Sequence, residues 1–483
     1  MRIRRLLHLT LGLALAFASG CGLGSPSPIS DFGDRLRSAL SPEDIRADLG
    51  ALQRIADANN GIRADGTLGY DASVAYVVDE LRKAGYSATL QKVMIPYFRQ
   101  LGPGTLQVAG SSGTAFSGER DFRAALFSPS GDVTATVAAI GFDQSVDPTV
   151  FAEHPTGKGC GAGDFPATVR GAIAVVLPGP CLRRTQVDRA QAAGARALVV
   201  VYPQWQAGDL LRPTLLRPEG LTIPVVVATM AVGIALAGAA VSQTAVHLAM
   251  RTSVAVREVA NVLAETPGGD PNRVLVLGGH LDSAGDGPGI NDNGSGTMTI
   301  LEVARRVAAL PTPRWKLRFA FWAGEELGLY GSSAYLRALS DGDRSKIAAY
   351  LNFDMLASMN GGRLIYDDGA AAPGSKAISA LFETAFNQDG LSSERLDLSG
   401  GSDHYPFEQA RVPTGGLFAG ANEPKGAAEV QRFGGLPGQV FDACYHKACD
   451  RFERINASLL AEMVRAVGYA TGQLAGGSVD LSR

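Results

Sequence analysis

Hydrophobic residues recur at two different spacings along the chain, and the changes between them mark its elements. The segment 41–58 places apolar residues at helical spacing, with Ser41 as its cap and acidic residues in its first turn. A second helix is predicted over 70–85, with Asp71 near its start, and a strand over 86–95 follows. These elements indicate the beginning of a domain that mixes helices and strands.

The pattern then changes to short, apolar, β-rich runs with many glycine and proline residues. From Val256 onwards strands and helices alternate again, with an amphipathic helix over 295–310. Buried-strand patterns cover 273–279, 316–322 and 347–353. Such alternation is typical of a parallel or mixed sheet with helices on both faces. The predicted fold class is therefore α/β, a mixed, mainly parallel sheet flanked by helices, with a β-rich domain inserted over 98–255.

Length and composition agree with a globular protein of two domains. The 483 residues are too many for one ordinary core. A hydrophobic content of 46% with 19% charged residues is typical of folded chains. The net charge of −3 gives no signature of nucleic-acid binding or of a polybasic membrane surface. The expected partners are small molecules or peptides, and no nucleic acid.

The first 20 residues have the pattern of an export signal. Three arginines precede an apolar run that is too short to span a membrane. The sequence Ala18-Ser19-Gly20-Cys21 then resembles a bacterial lipobox, in which the cysteine is lipidated. We expect an exported protein anchored to the cell envelope only through a lipid on Cys21, with 21–40 as a linker. A secreted protein with an ordinary cleaved signal is the alternative.

The other cysteines support export. Without Cys21 four remain, and they fall into two local pairs, Cys160 with Cys181 and Cys444 with Cys449. Two disulfides are the natural number for an oxidising compartment, and the spacing does not match a zinc finger.

Residues that can bind a metal follow each predicted strand of the later segment. They are His280, Asp282, Asp292, Glu325, Glu326 and Asp354. Because ligands gather at the carboxyl ends of parallel strands, we expect these side chains to converge. Histidine and carboxylates without cysteine favour a catalytic site for zinc or a similar divalent ion. If the strand extends through Glu325 and Glu326, these two neighbours point in opposite directions.

The same residue types predict roles within such a site. Asp292 is the natural bridge between two metal ions, and Asp282 is placed to orient the preceding histidine. The second ion lacks a histidine, and spacing alone does not choose between His404 and His446. The last two cysteines flank His446, and a disulfide there would hold its loop, which favours His446.

Six motifs in order resemble the M28 family of dizinc aminopeptidases, particularly the secreted bacterial leucine-type enzymes. They are GGHLDS, GINDNGSG, FWAGEELGLYGS, YLNFDM, SDHYPF and CYHKACD. The resemblance covers roughly 41–95 and 256–475. It implies two Zn²⁺ per chain. The implied ligands are His280, Asp292 and Asp354 for one ion, and Asp292, Glu326 and His446 for the other.

The resemblance also implies how the site works. Glu325 would be the general base, and Tyr445 would stabilise the tetrahedral oxyanion. The implied reaction is hydrolysis of the N-terminal bond of peptides with a free N-terminus, after large hydrophobic residues. The implied substrate pocket contains Met355, Gly401, His404 and Phe418. Close relatives often carry arginine where Gly401 stands, so a backbone carbonyl would meet the substrate amine here, and His404 would line the pocket or be structural.

The middle segment resembles the protease-associated (PA) domain. The matching stretches are GCGAGDFPATVRGAIAVVLPGPC, QAAGARALVVVY and IPVVVAT, and the likeness implies a Cys160–Cys181 disulfide. A generic β-rich insert is the alternative. In the family such inserts restrict or guide substrates. The expected order is a signal at 1–20, a linker, a peptidase domain over 41–97 and 256–475 interrupted by the PA domain, and a tail over 476–483.

Three other functions stay open. A carboxypeptidase-like or glutamate-type exopeptidase would need a basic pocket, for which the motifs show no convincing arginine cluster. A glutaminyl cyclase would bind one zinc, and a non-catalytic PA-bearing receptor would have lost ligands. The complete ligand set argues against both.

Overall fold

The computed structural model describes residues 31–110, 114–142, 157–203, 208–367, 372–398 and 400–481. The predicted export signal and Cys21 lie outside these residues. Among the helices within them, none is both long and apolar enough to cross a membrane.

The largest sheet has eight strands. They are β1 (Thr89–Gln100), β11 (Thr252–Glu265), β12 (Asp270–His280), β13 (Trp315–Trp322), β14 (Ile347–Asp354), β15 (Leu364–Tyr366), β16 (Glu394–Leu396) and β17 (Thr414–Phe418). Their order in the sheet is β1-β11-β13-β12-β14-β17-β15-β16. The four central strands, β13, β12, β14 and β17, each run parallel to the next. Antiparallel pairs flank them, with β1–β11 and β11–β13 towards one edge of the sheet and β17–β15 towards the other. The predicted mixed, mainly parallel sheet is confirmed.

Helices cover both faces of this sheet because its central strands are apolar on both sides. The helices of this domain are α1 (Asp31–Ala39), α2 (Pro42–Ala58), α3 (Leu68–Lys83), α6 (Gly296–Ala309), α7 (Glu325–Gly328), α8 (Tyr330–Ala338), α9 (Asp341–Arg344), α10 (Ser375–Gln388), α11 (His404–Gln409), α12 (Ala427–Phe433) and α13 (Ala457–Ala475). In β12, Leu275 and Leu277 join the core under α2, α3 and α6, whereas Val274 and Val276 join an aromatic core on the other face. This alternation is the two-residue period of a strand buried on both faces.

The first two predicted helices form with small shifts. Ser41 caps α2 as predicted, since its side chain accepts the backbone N–H of Asp44 at 3.1 Å. The second helix begins at Leu68, two residues before the predicted start. Its cap is Thr67, whose hydroxyl accepts the N–H of Tyr70 at 3.4 Å.

The linker predicted up to residue 40 is wrong for its last part, because α1 is already helical from Asp31. Phe32 and Leu36 are buried in the main core. Gly33 and Gly472 let the backbones of α1 and α13 approach closely, since a Cβ on Gly472 would lie 2.4 Å from the Cα of Gly33. The tertiary contact with the last helix therefore orders this segment.

The inserted segment forms two smaller sheets. Its strands are β2 (Thr105–Val108), β3 (Ala115–Phe116), β4 (Phe122–Ala124), β5 (Gly131–Ala135), β6 (Val137–Ala139), β7 (Ile173–Val176), β8 (Ala197–Tyr202), β9 (Val225–Thr229) and β10 (Val246–Met250), with helices α4 (Arg183–Ala192) and α5 (Met230–Val241). The sheet orders are β3-β2-β10-β5 and β4-β9-β8-β7-β6. A disulfide joins Cys160 and Cys181. The chain leaves and re-enters the large sheet on two adjacent strands, since β1 and β11 pair as far as Gln100 and Thr252.

Candidate metal centre

Two histidines and four carboxylates meet at the carboxyl end of the central parallel strands. His280 ends β12 and Asp354 ends β14, so both project from the same edge of the sheet. Nε2 of His280 lies 3.2 Å from Oδ1 of Asp292 and 3.3 Å from Oδ1 of Asp354. Nε2 of His446 lies 3.0 Å from Oε2 of Glu326 and 3.1 Å from Oδ2 of Asp292. Asp292 thus lies between the histidines and turns one oxygen to each.

These groups fit a bound cation. Oε1 of Glu326 is buried and accepts no hydrogen bond among the described residues. Oδ2 of Asp292 and Oδ1 of Asp354 are buried too, and each faces a histidine Nε2, at 3.1 and 3.3 Å, without the geometry of a hydrogen bond. A buried carboxylate oxygen without a partner costs free energy, and a metal ion removes that cost. Atoms of His280, Asp292 and Glu326 that can bind a metal all lie within 4.8 Å of one another. Imidazole and carboxylate ligands without thiolate suit catalytic zinc.

Glu325 and Glu326 do not continue the strand, and the interpretation that pleating separates them is wrong. Strand β13 ends at Trp322, and Gly324 turns the chain with a φ of 70° into the short helix α7. Successive side chains on a helix differ in direction by about 100°. Oε2 of Glu325 consequently lies 4.0 Å from Nε2 of His280, whereas Glu326 reaches His446.

Asp282 holds this turn in place, in addition to lying near His280. Its two carboxylate oxygens accept the backbone N–H groups of Glu325 at 3.4 Å and Glu326 at 3.2 Å. Nδ1 of His280 is closer to the backbone carbonyl of Asp282, at 3.1 Å, than to its carboxylate, at 3.6 Å. The carbonyl therefore accepts the Nδ1–H of His280, which leaves Nε2 for the metal.

Two buried residues that the sequence analysis missed support the loops of the centre from far away in the chain. The guanidinium of Arg63 donates to the carbonyls of Leu281 at 2.7 Å, Pro288 at 2.8 Å and Gly289 at 2.5 Å. Burial lowers the pKa of Arg63 to about 10. Asp65 accepts the N–H of Gly324 at 2.5 Å, and burial, then the neighbouring Asp282, raise its pKa well above the usual range.

Two further missed residues lie inside the motifs. Ser402 donates its hydroxyl to Oδ2 of Asp354 at 2.7 Å. The carboxylate of Asp450 accepts the backbone N–H groups of Asn291 at 2.8 Å and Asp292 at 3.0 Å. The only signal for these roles was their place within the motifs SDHYPF and CYHKACD. Ser402 therefore holds the side chain of Asp354, and Asp450 holds the backbone at Asp292.

His446 lies on a loop that a disulfide between Cys444 and Cys449 closes. The ring of Tyr445 stacks on the ring of His446 with 3.8 Å between centroids. Burial, then the carboxylates of the centre, raise the pKa of Tyr445 well above the usual range, so its hydroxyl keeps its proton. The loop therefore presents an imidazole and a phenol side by side.

A cavity of about 240 Å³, which we call the amine-side cavity, opens beside Glu325. Met355, Gly401 and Phe418 line it, together with Tyr366 and Leu398. His404 does not line it. That residue is fully buried behind the wall, with its ring 4.8 Å from the ring of Tyr366, and so contributes to packing.

Comparisons with known families match both parts of the chain. The model of peptidase family M28 matches residues 261–471, and the model of the PA domain matches residues 145–236. A protein of Pseudomonas aeruginosa named "Aminopeptidase" is 38% identical over 452 residues, which cover 91% of this chain and 82% of that protein. "Probable lipoprotein aminopeptidase LpqL" of Mycobacterium tuberculosis is 34% identical over 458 residues, covering 92% and 87%.

Solved structures agree on the fold. The "Aminopeptidase from Aneurinibacillus sp. strain AM-1" superposes with a TM-score of 0.70 at 21% identity, over 92% of this chain and 96% of that one. "BSAP, a zinc aminopeptidase from Bacillus subtilis" superposes with a TM-score of 0.65 at 22% identity, over 89% and 94%. At this identity the likeness establishes the architecture alone.

Proposed function

The chain belongs to peptidase family M28 and carries a PA domain, and on that premise we propose that its metal centre holds two zinc ions and removes N-terminal residues from peptides. Relatives that match over nine-tenths of the chain are named aminopeptidases, and the chain is accordingly a metallo-aminopeptidase of this family. Our proposal concerns the number of ions, the role of each residue, the preferred substrate and the lipid anchor.

The position of Asp292 carries the proposal of two ions. Its oxygens face different histidines at 3.2 and 3.1 Å, which is the arrangement of a carboxylate that bridges two cations. His280, Asp292 and Asp354 would hold one zinc ion, and Asp292, Glu326 and His446 the other. When bound, the zinc ions would lower the pKa of a water molecule and polarise the scissile carbonyl.

Glu325 would move the proton in this reaction. Its carboxylate faces the centre, and burial raises its pKa well above the usual range of a glutamic acid. A carboxylate with a raised pKa is a stronger base near neutral pH. Glu325 would take a proton from the attacking water and give it to the nitrogen of the leaving amine.

Tyr445 and the amine-side cavity would orient the substrate. The protonated hydroxyl of Tyr445 would donate a hydrogen bond to the oxygen of the scissile carbonyl, where negative charge develops. The carboxylates of the centre and the backbone carbonyl of Gly401 would meet the free α-amino group. Met355, Leu398 and Phe418 give one part of the cavity wall an apolar surface, which favours a large hydrophobic N-terminal side chain.

Export with a lipid anchor on Cys21 is part of the proposal. It rests on the lipobox-like sequence before Cys21 and on two disulfides, which are typical of oxidising compartments. The relative named a probable lipoprotein aminopeptidase supports the same location. Peptides are the proposed partners, and a membrane contact is expected only through the lipid.

Metal analysis combined with a substrate panel tests the function. Purified full-length protein should contain two zinc ions per chain. It should hydrolyse leucine nitroanilide in preference to the glutamate and glycine compounds, and a chelator should abolish the activity. Leucine nitroanilide that is N-acetylated serves as the control and should not react. Cleavage of the acetylated compound, or full activity with one zinc ion, would overturn the proposal.

A further inference from the structure

A second cavity, of about 280 Å³, lies on the other side of the metal centre, and we call it the PA-side cleft. His446 lines both cavities, whereas Glu325 lines only the amine-side cavity and Glu326 only the PA-side cleft. The proposed metal ligands thus separate two spaces, and a peptide bound across the centre would enter both.

Both domains contribute walls to the PA-side cleft. The peptidase domain supplies Ile62, Ala64 and Leu327, and the segment Ser283–Asp286 forms its floor. The end of β1 adds Tyr97, Phe98 and Gln100, and the PA domain adds Leu126 and Arg212. Ile62, Tyr97, Phe98, Leu126 and Leu327 are all half-buried, so they offer apolar surface to an occupant without being sealed in the core.

Three contacts hold the PA domain against the loops that carry the proposed metal ligands. Arg123 of the PA domain pairs with Asp286 at 2.9 Å. The hydroxyl of Thr214 donates to the backbone carbonyl of Leu327 at 2.8 Å, directly after Glu326. On the far side Asp209 pairs with Lys447 at 2.7 Å, directly after His446. The cleft is therefore a fixed feature of the domain arrangement.

The side chains that line the cleft provide little positive charge for an acidic occupant. Arg212 donates to Gln100 and to the carbonyl of Ala124, both at 2.8 Å, and to Glu119 at 2.7 Å, so both N–H groups of Nη1 and one of Nη2 are already engaged. It is the only basic side chain in the part of the cleft lining that the structure describes, apart from His446. Asp286 is paired with Arg123, and Glu326 is a proposed zinc ligand, so selection in the cleft rests on its apolar walls. An apolar or uncharged group fits this lining better than a carboxylate.

From these observations we propose that the PA-side cleft binds the second and third residues of the substrate peptide and selects an apolar second residue. Leu126 of the PA domain is the specificity-determining residue of this subsite. The proposal rests on the proposed function, because the N-terminal residue must occupy the amine-side cavity for the rest of the peptide to enter the cleft. The PA domain then contributes directly to substrate choice.

Comparison of substrates with and without a second residue tests the proposal. Leucinamide fills only the amine-side cavity, whereas Leu-Phe-Gly and Leu-Asp-Gly also reach the cleft. In zinc-loaded full-length enzyme we expect kcat/KM for Leu-Phe-Gly to exceed that for Leu-Asp-Gly by about tenfold or more, as burial of one aromatic side chain allows. Similar values for the two peptides would overturn the proposal.

Variants locate the effect in the cleft. Leu126→Glu should lower kcat/KM for Leu-Phe-Gly by about tenfold and leave leucinamide hydrolysis within about twofold. Leu126→Ala should lower kcat/KM for Leu-Phe-Gly by a smaller factor and again leave leucinamide hydrolysis unchanged. It replaces Leu126→Glu in the test if that variant does not fold. The matched control is Val241→Glu, since Val241 is 88% exposed on α5 of the same domain and lies outside the cleft lining.

The outcomes separate the two proposals. Equal losses for leucinamide and the tripeptide in both Leu126 variants would overturn the subsite and leave the aminopeptidase activity standing. A wild-type enzyme that hydrolyses neither leucinamide nor the peptides would contradict the proposed function instead.

Discussion

Glu325 and Glu326 are adjacent in the chain, yet their carboxylates face different histidines. Oε2 of Glu325 lies 4.0 Å from Nε2 of His280, and Oε2 of Glu326 lies 3.0 Å from Nε2 of His446. The backbone N–H groups of both residues are held by the single carboxylate of Asp282. One turn of helix, anchored at one point, therefore supplies a proposed proton carrier and a proposed metal ligand.

Glu325→Gln should separate proton transfer from metal binding. We expect kcat to fall by about 10²–10⁴-fold, because an amide of the same shape cannot accept the proton. The zinc content should stay unchanged. Turnover of leucine nitroanilide and zinc analysis measure the two effects, and near wild-type turnover would rule out Glu325 as the base.

His446→Ala should remove the nitrogen ligand of one proposed ion. We expect zinc content to fall from two ions to one per chain. Activity should fall by at least about 10²-fold, since stabilisation of charge by a metal contributes several kcal/mol. His247→Ala is the control, because His247 is partly exposed on the PA domain, where it pairs with Asp132. Retention of two ions in His446→Ala would contradict the ligand assignment.

Asp65→Asn should be tolerated better than Asp65→Ala. Burial and the neighbouring Asp282 raise the pKa of Asp65, which favours its neutral form, and asparagine is neutral and can still accept the N–H of Gly324. Alanine leaves that buried N–H without a partner, which costs about 1–3 kcal/mol of unfolding free energy. Urea unfolding of the zinc-loaded variants measures the difference.

The pH dependence of the same variants gives an independent check. The folded-state pKa of Asp65 lies above its unfolded value of about 3.9, so its contribution to stability falls as pH rises from there towards the folded-state pKa. Asparagine does not titrate. The stability of Asp65→Asn relative to wild type should therefore improve across this range, and a constant difference would show that Asp65 is not held protonated.

The disulfide between Cys444 and Cys449 should strengthen zinc binding, because it holds the loop that carries His446. In a Cys444→Ser, Cys449→Ser double variant the loop loses its closure, so His446 must be ordered when zinc binds. We expect weaker binding of one zinc ion, measured by titration with a competing chelator. The matched control is Cys160→Ser with Cys181→Ser, which opens the disulfide in the PA domain and should leave zinc affinity unchanged. Equal weakening in both double variants would contradict the local effect.

The strands that carry the site could be predicted from the sequence because a strand buried on both faces is a continuous apolar run. The predicted strands 273–279 and 347–353 became Asp270–His280 and Ile347–Asp354, and each observed strand ends on a proposed ligand. Once the strands are parallel, the residues that follow them must share one edge of the sheet. Periodicity and topology were enough to bring His280 and Asp354 together.

The supports of the site could not be predicted in this way. Arg63 donates to carbonyls that lie 218 and 226 residues further along the chain, and no local pattern marks such a contact. The helix from Asp31 to Ala39 likewise depends on packing against the last helix. The amino-acid sequence by itself determined the fold class, the family and the proposed ligands, since these follow from local periodicity and motifs. Only the tertiary structure decided that a helical turn separates Glu325 from Glu326 and that the PA domain forms one wall of a cleft, because both depend on contacts between distant segments.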